Sequence, residues 1–311
     1  MRRGAALVLA ACVSASSAQA ATKLTLLYTP GDSFTESYVA KDQGIFDRHG
    51  LDVTLTVGQN GSVITAALLA GSAQIGAPTP TVFLQAHEQG ADLVILAGAN
   101  RNPVQPPVSE TGIVAREGSD IHGAGDLIGR KHAVQGLGGT IDVLTKKWVE
   151  TRGVDYRKVD WIEMQFPLMP DGLKTGLTDA VSVVDPFLHR ILGAKTGYLI
   201  GDFGTVMPPG TMIVVYAATR DWAQAHADVV AAFRASLDEA KRFIEDPANE
   251  AAVKASIASY VHLPPQAAAA IQIPTNLDWL PQPYGLYFWI QATREQGLIS
   301  HAPDAATLIA P

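Results

Sequence analysis

The sequence has a single cysteine, Cys12, no run of basic residues and, beyond its first twenty residues, no apolar stretch long enough to cross a membrane. One cysteine permits neither an internal disulfide nor a cysteine-built metal cluster, so stability has to come from packing. The apolar content of 47% against 17% charged residues meets that requirement and describes a well-packed globular chain. The net charge is −7, and loss of Arg2 and Arg3 with a cleaved leader would take it to −9, which argues against nucleic acid or an anionic membrane as partner. The eight histidines are scattered, with no pair two or four residues apart, so they do not read as a zinc site and are expected at the surface or at helix ends. Nucleophile elbow, P-loop and a recognisable pair of catalytic carboxylates are all missing, so enzyme chemistry is not expected.

The first twenty residues carry an export signal. Arg2 and Arg3 form a basic head, Ala5 to Val13 an apolar segment, and Ala18-Gln19-Ala20 a small-residue cleavage site. The apolar run is about half of the ~20 residues that a spanning helix needs. Residues 1–20 are therefore read as a signal peptide and the protein as periplasmic. Leu9-Ala10-Ala11-Cys12 also reads as a lipobox, which leaves lipid anchoring at Cys12 as the alternative.

About 290 residues remain, a size at which a chain usually divides into two lobes. Short apolar runs alternate with helical patterns, as in an α/β fold with largely parallel sheets. Strands are expected at 23–28, 52–57, 74–77 and 93–97, with helices at 34–43, 62–69 and 82–89 between them. A proline-rich polar stretch, Asn100 to Pro107, marks a crossing to a second α/β series, with strands at 113–115, 132–134, 159–162, 181–184 and 198–200. Met207-Pro208-Pro209-Gly210 marks the return. A strand at 212–217 follows, then a long helix from Asp221 whose Val229, Phe233, Leu237 and Phe243 recur at helical spacing, and further helices near 248–260 and 281–296. The division expected is residues 21–103 plus 212–311 for lobe I and 104–211 for lobe II.

Several motifs in order carry a resemblance. They are Val39-Ala40-Lys41-Asp42-Gln43-Gly44-Ile45-Phe46, His49-Gly50-Leu51-Asp52-Val53, Ala67-Leu68-Leu69-Ala70-Gly71-Ser72-Ala73-Gln74-Ile75-Gly76, Asp126-Leu127-Ile128-Gly129-Arg130-Lys131 and Val184-Asp185-Pro186-Phe187. Together they resemble the substrate-binding proteins of ABC transporters, in the nitrate, sulfonate, taurine and thiamine-precursor group. The resemblance implies a type II periplasmic-binding fold, two α/β lobes with a ligand cleft and two hinge crossings. It further implies a monomer that hands a small molecule to a membrane permease and, indirectly, to its ATPase. Where the group commonly has Trp-Glu-Pro-Phe this chain has Val184-Asp185-Pro186-Phe187, so a relative's ligand is not carried over. The lobes are expected to rock about segments near Asn100 to Gly112 and Phe203 to Gly210.

Ligands of open α/β sheets sit beyond the carboxyl ends of strands, where the next helices present unpaired N–H groups. That rule selects Gly31, Asp32, Ser33 and Phe34, then Asn60, Gly61 and Ser62, then Thr79 and Pro80, then Gly138, Gly139 and Thr140, and Asp185. Phe34 and Tyr28 would supply apolar burial, and Arg101 could pair with a ligand acid group. Ser, Thr, Asn and Gly at helix starts are also ordinary caps, and Asp185 could cap its own helix. Gly136-Leu137-Gly138-Gly139-Thr140-Ile141 falls short of a dinucleotide fingerprint because Ile141 stands at the third glycine position. No cofactor is expected. The ligand expected is a small organic anion such as a sulfonate or carboxylate. A pyrimidine or other heterocycle, and a role as a ligand-sensing module, are the alternatives.

Overall fold

The computed structural model describes residues 21–99, 101–102, 111–263, 271, 273–274 and 278–311. The leader, Cys12, and most of the first proposed crossing lie outside them. Strand β1 (Thr22–Tyr28) runs into a 3-10 turn at Asp32–Phe34, helix α1 (Thr35–Asp42) and the single turn α2 (Ile45–Arg48). Then come β2 (Leu51–Val57), α3 (Gly61–Leu69), β3 (Ile75–Gly76), α4 (Pro80–Glu88) and β4 (Leu93–Gly98). The second series is β5 (Thr111–Arg116), β6 (Lys131–Val134), α5 (Thr140–Glu150), β7 (Asp160–Glu163), α6 (Met169–Thr175), β8 (Ala180–Val184), α7 (Phe187–Gly193) and β9 (Gly197–Gly201). The chain returns through a 3-10 turn at Phe203–Val206 to β10 (Val215–Thr219), α8 (Arg220–Ala225), α9 (Ala227–Glu245), α10 (Glu250–Tyr260) and α11 (Tyr284–Glu295).

Two five-stranded sheets result, in the orders β2-β1-β3-β10-β4 and β7-β6-β8-β5-β9. Each is mixed rather than largely parallel. In both, the strand that arrives from the other lobe runs antiparallel to its neighbours: β10 against β3 and β4, β5 against β8 and β9. Strands β2 and β3 return through helices to pair parallel with β1, and β7 and β8 return through helices to pair parallel with β6. Strands β4 and β8 are apolar along nearly their whole length because helices cover both faces.

Two expectations shift. The strand expected at 212–217 is β10 at 215–219, because Met212 pairs with Arg101 in an isolated antiparallel bridge at the crossing instead of joining the sheet. The helix expected to run on from Asp221 breaks at His226, whose φ of −127° and ψ of 44° leave the helical region. The His226 ring Nδ1 lies 2.9 Å from the Trp222 carbonyl and stacks on the Trp222 ring, so a side chain takes up a carbonyl at the end of α8.

The lobes are joined in three ways. One buried cluster includes residues of both sheets, such as Leu24 and Val181, with Phe34 and Phe233 from one lobe and Phe166 and Phe187 from the other. At the crossings Gly210 N–H donates to the Asn102 carbonyl at 2.8 Å and Asn102 N–H to that of Thr211 at 2.9 Å. Facing the cleft, α5 lies on α4 and α11. Gln85 Nε2 donates to the Gly138 carbonyl (2.8 Å), Gln296 Nε2 to that of Val143 (2.9 Å), and Lys147 pairs with Glu295 (2.8 Å).

Candidate functional site

A cavity of about 390 Å³ opens between the sheets, within the usual size of small-molecule sites. Its first wall belongs to lobe I. Asn60 caps α3 by accepting from Val63 N–H at 3.0 Å, and Gly61 and Ser62 follow at the helix start. The start of α4 lies alongside: a Cβ on Gly61 would sit 3.3 Å from the Thr79 nitrogen, so glycine is what allows the two helix ends to converge. Thr79, Val82, Gly31, Ser33 and Phe34 are also part of this wall. Neither α3 nor α4 has an acidic residue in its first turn.

The second wall is the start of α5, the ends of β6 and β7 and the return crossing. Thr140 is 4% exposed, lines the cavity, and its Oγ1 has no hydrogen-bond partner. A buried hydroxyl left unsatisfied is costly, about 1–3 kcal/mol, unless something in the cavity meets it. Beside it, Glu163 accepts from Leu137 N–H at 2.8 Å, and Asp142, fully buried in the first turn of α5, accepts from Gly138 N–H at 2.8 Å and from Lys146 at 2.7 Å. Burial pushes the Asp142 carboxyl up from its ordinary range, and Lys146 works against that shift. Farther round, Asp202 accepts from Gly204 N–H at 2.8 Å and from the Thr111 hydroxyl.

The structure brings together nine of the fourteen positions selected from the sequence: Gly31, Ser33, Phe34, Asn60, Gly61, Ser62, Thr79, Gly139 and Thr140. The others are employed elsewhere. Asp32 is buried, and its carbonyl accepts from the Thr35 hydroxyl. Pro80 occupies the first turn of α4, outside the lining. Gly138, at φ +73°, turns its N–H to Asp142 and its carbonyl to Gln85. Asp185 is buried and accepts from His189 N–H at 3.2 Å and its ring Nδ1 at 2.6 Å, so its carboxylate is engaged by the first turn of α7; desolvation moves its carboxyl up despite that partner.

Arg101 departs furthest from the ligand contact expected of it. Its guanidinium is paired with Asp278 at 2.9 Å, donates to the carbonyls of Gly210 (3.1 Å) and Leu280, and meets the Tyr284 hydroxyl at 3.3 Å. It ties the two crossings to the segment before α11. The adjacent glycines have a local cause too, since a Cβ on Gly139 would sit 2.8 Å from the Gly136 carbonyl oxygen in a tight turn. A valine at 139 would therefore deform the loop instead of merely narrowing the cavity. Tyr28 stands behind Phe34, with ring centres 6.0 Å apart, and does not line the cavity. His132, expected at the surface, is fully buried against Ser182, and desolvation lowers it to about 3.

Among lining residues the sequence reading passed over, Glu163 and Asp202 stand at the carboxyl ends of β7 and β9, where the strand-end rule would have found them. Asn102, Thr111, Met207 and Pro209 come from the crossings, for which sequence offers no such rule. No described helix is long and apolar enough to cross a membrane. No cluster of three or more His, Cys, Asp or Glu among the described residues is placed to hold a metal.

Comparison with known proteins adds to this geometry. The model of the NMT1-like family matches residues 17–258. The nitrate/nitrite binding protein NrtA of Synechococcus elongatus is 30% identical over 122 residues, which is 38% of this chain and 27% of that protein, so the match spans about a quarter of the relative. The alkanesulfonate-binding protein SsuA of Xanthomonas axonopodis pv. citri, bound to MOPS, superposes with a TM-score of 0.79 at 17% identity, over 94% of this chain and 99% of that one. The periplasmic nitrate-binding protein NrtA of Synechocystis gives 0.75 at 15% identity, over 92% and 84%. At these identities the superpositions establish the fold, a type II periplasmic-binding architecture.

Proposed function

The chain belongs to the NMT1-like family, and from that premise we propose that it is a periplasmic solute-binding protein that captures a small molecule between its lobes and delivers it to an ABC importer. The observation that carries this reading is the cavity itself: it is lined from both lobes, three helix starts reach it, and Thr140 presents an unpartnered buried hydroxyl to it. A ligand touching both walls stabilises the closed arrangement that α5, α4 and α11 form, and closure presents a composite face to a permease. The moving bodies would be residues 21–103 with 212–311 and residues 104–211, turning on the hydrogen-bonded crossing segments at 101–102 and 210–212. In this reading residues 1–20 are an export leader and the mature chain is periplasmic, freed by cleavage near Ala20 or, as the alternative, cut ahead of Cys12 and lipid-anchored there.

The starts of α3 and α4 suit an acidic or acceptor group. Each contributes about 0.3–2 kcal/mol to a nearby negative charge, so micromolar binding at about −8 kcal/mol draws also on the apolar lining of Phe34, Val82, Phe166, Phe203 and Ile213. An organic acid fits this wall better than an inorganic ion, because so much of the lining is apolar. The test is a thermal-shift screen of organic acids and heterocycles against the wild type and Ser62→Trp, whose ring would enter the cavity from an exposed position. A compound that raises the melting temperature of the wild type and not of Ser62→Trp is expected. Hits that stabilise both proteins equally would place binding elsewhere and sink the reading.

A further inference from the structure

Helix α5 belongs to lobe II and turns two faces to its surroundings at the cleft. Thr140, Ile141 and Leu144 line the cavity, whereas Val143 and Lys147, four residues apart and so on one face, meet lobe I. Gln296 Nε2 donates to the Val143 carbonyl at 2.9 Å. Lys147 pairs with one Glu295 oxygen at 2.8 Å, and Gln291 Nε2 donates to the other at 2.8 Å, which fixes the carboxylate toward α5. Just ahead of the helix, Gly138 is held from both lobes: its N–H goes to Asp142, and its carbonyl accepts from Gln85 of α4. The same Gln85 nitrogen donates to the Thr81 carbonyl of its own helix at 3.0 Å. None of Gln85, Val143, Lys147, Glu295 and Gln296 lines the cavity, so these contacts do not run through whatever fills it.

The lobe I side of this contact is tied to the crossings by one helix. Near its start, α11 takes the Met212 N–H on the Gly285 carbonyl (3.3 Å) and gives Trp289 Nε1 to the Met212 carbonyl (2.6 Å), beside the bridge between Met212 and Arg101. At its other end stand Glu295 and Gln296. Beneath the polar contacts, Phe83, Val143, Trp289 and Ile299 belong to one buried cluster, none more than 4% exposed. A turn about the crossings that parts α5 from α4 and α11 breaks the polar contacts and wets this apolar surface, and both effects oppose opening. Resting on the two-lobed solute-binding reading above, we propose that α4, α11 and α5 form a clasp that holds the lobes shut whether or not the cavity is filled. The solute then enters and leaves through a minor open population. Because the closed form is the one that binds, the clasp removes part of the cost of closure from binding, and loosening it lowers affinity by the loss in closed fraction.

The experiment is double electron–electron resonance on the mature chain, stripped of small molecules by unfolding, dialysis and refolding, with spin labels at Val63→Cys and Leu168→Cys. These positions are 43% and 56% exposed, one on α3 in lobe I and the other beside Phe166 in lobe II, and the sequence has no cysteine past Cys12. The labelled parent is expected to show one short, narrow distance without any ligand. Lys147→Glu combined with Gln296→Ala should raise the long-distance fraction at least about fivefold, the effect of about one net hydrogen bond. Lys147→Glu alone sets two carboxylates against each other and gives a smaller step in the same direction, and adding Glu295→Lys should reverse that step. Loss of packing alone would not be repaired by the exchanged charges. A parent that is mostly open, variants whose distances match the parent's, or an exchange that fails to restore the short distance each overturns the clasp. If Lys147→Glu does not fold, Gln296→Ala alone decides, by the same rise or its absence. All of these outcomes leave the solute-binding reading standing, because the Ser62→Trp screen tests it separately.

Discussion

The two lobes share one topology and differ in what they present to the cavity. In each sheet the strand order is second, first, third, visitor, fourth, with the visitor antiparallel and supplied by the chain's passage from the other lobe. No sequence repeat accompanies this. Yet α3 and α4 reach the cleft as bare helix starts, whereas α5 reaches it with Asp142 in its first turn and Glu163 on the N–H of the preceding loop. Topology decides which loops converge, because strand ends must lie at one edge of each sheet. Side chains decide the sign of the field they make there. A ligand that closes the molecule therefore has to satisfy two unlike surfaces.

The heaviest blow to this comparison would come from the core of lobe II. Trp148 on α5 is 1% exposed and packs so closely on Gly201 that a Cβ there would lie 2.1 Å from the ring. Trp148→Ala is expected to cost about 3–5 kcal/mol in urea denaturation. Because buried clusters include residues of both sheets, one transition is expected for both lobes. Two separated transitions would show the lobes to be independent.

Next in size is the joint between them. Arg101→Met keeps the apolar stem but removes the pairing with Asp278 and the links to Gly210, Leu280 and Tyr284, at a cost of about 2–3 kcal/mol. Small-angle scattering should then show a larger unliganded radius, with ligand affinity reduced through the opening of the cleft. An unchanged profile together with unchanged stability would remove Arg101 from the hinge.

The smallest effect sharpens the contrast by pH. In lobe I, Glu36 on α1 is fully desolvated and its carboxyl is raised to about 8 from an ordinary 4.5. Folding then binds a proton, so its contribution is complete below pH 4.5 and lost as pH rises through 8. In lobe II, buried His132 is lowered to about 3 from 6.5, so its contribution is complete above pH 6.5 and lost as pH falls toward 3. Melting temperatures between pH 4 and 9 should fall by a few degrees at both ends. Glu36→Gln should flatten only the alkaline side and His132→Gln only the acid side; a variant that flattens the other side, or neither, contradicts the assignment.

Much of this was legible along the chain. The alternation of apolar runs with helical patterns located nearly every strand to within two residues, because a strand covered on both faces has to be apolar throughout. Asn60, Gly61, Ser62, Thr79 and Thr140 were legible as cavity-lining residues because they stand in the loops and helix starts that follow strands. Arg101, Asp185 and Gly138 were not, since each had two chemically sound uses and only its neighbours decide between them: Asp278 for the first, His189 for the second, Asp142 and Gln85 for the third.

What the sequence alone determined about this protein is local: where the chain extends, where it coils, where it turns, and which loops stand at strand ends. These follow from side-chain periodicity and backbone preference, which act over a few residues. What only the tertiary structure decided is the charge of the cavity and the fate of its nominal cation. Arg101 is drawn into the hinge by residues about 110 and 180 positions away, while Glu163 and Asp202, 39 residues apart in sequence, come to line one wall. Electrostatic character belongs to groups brought close in space, and their closeness exists only once both sheets are closed around the same cleft.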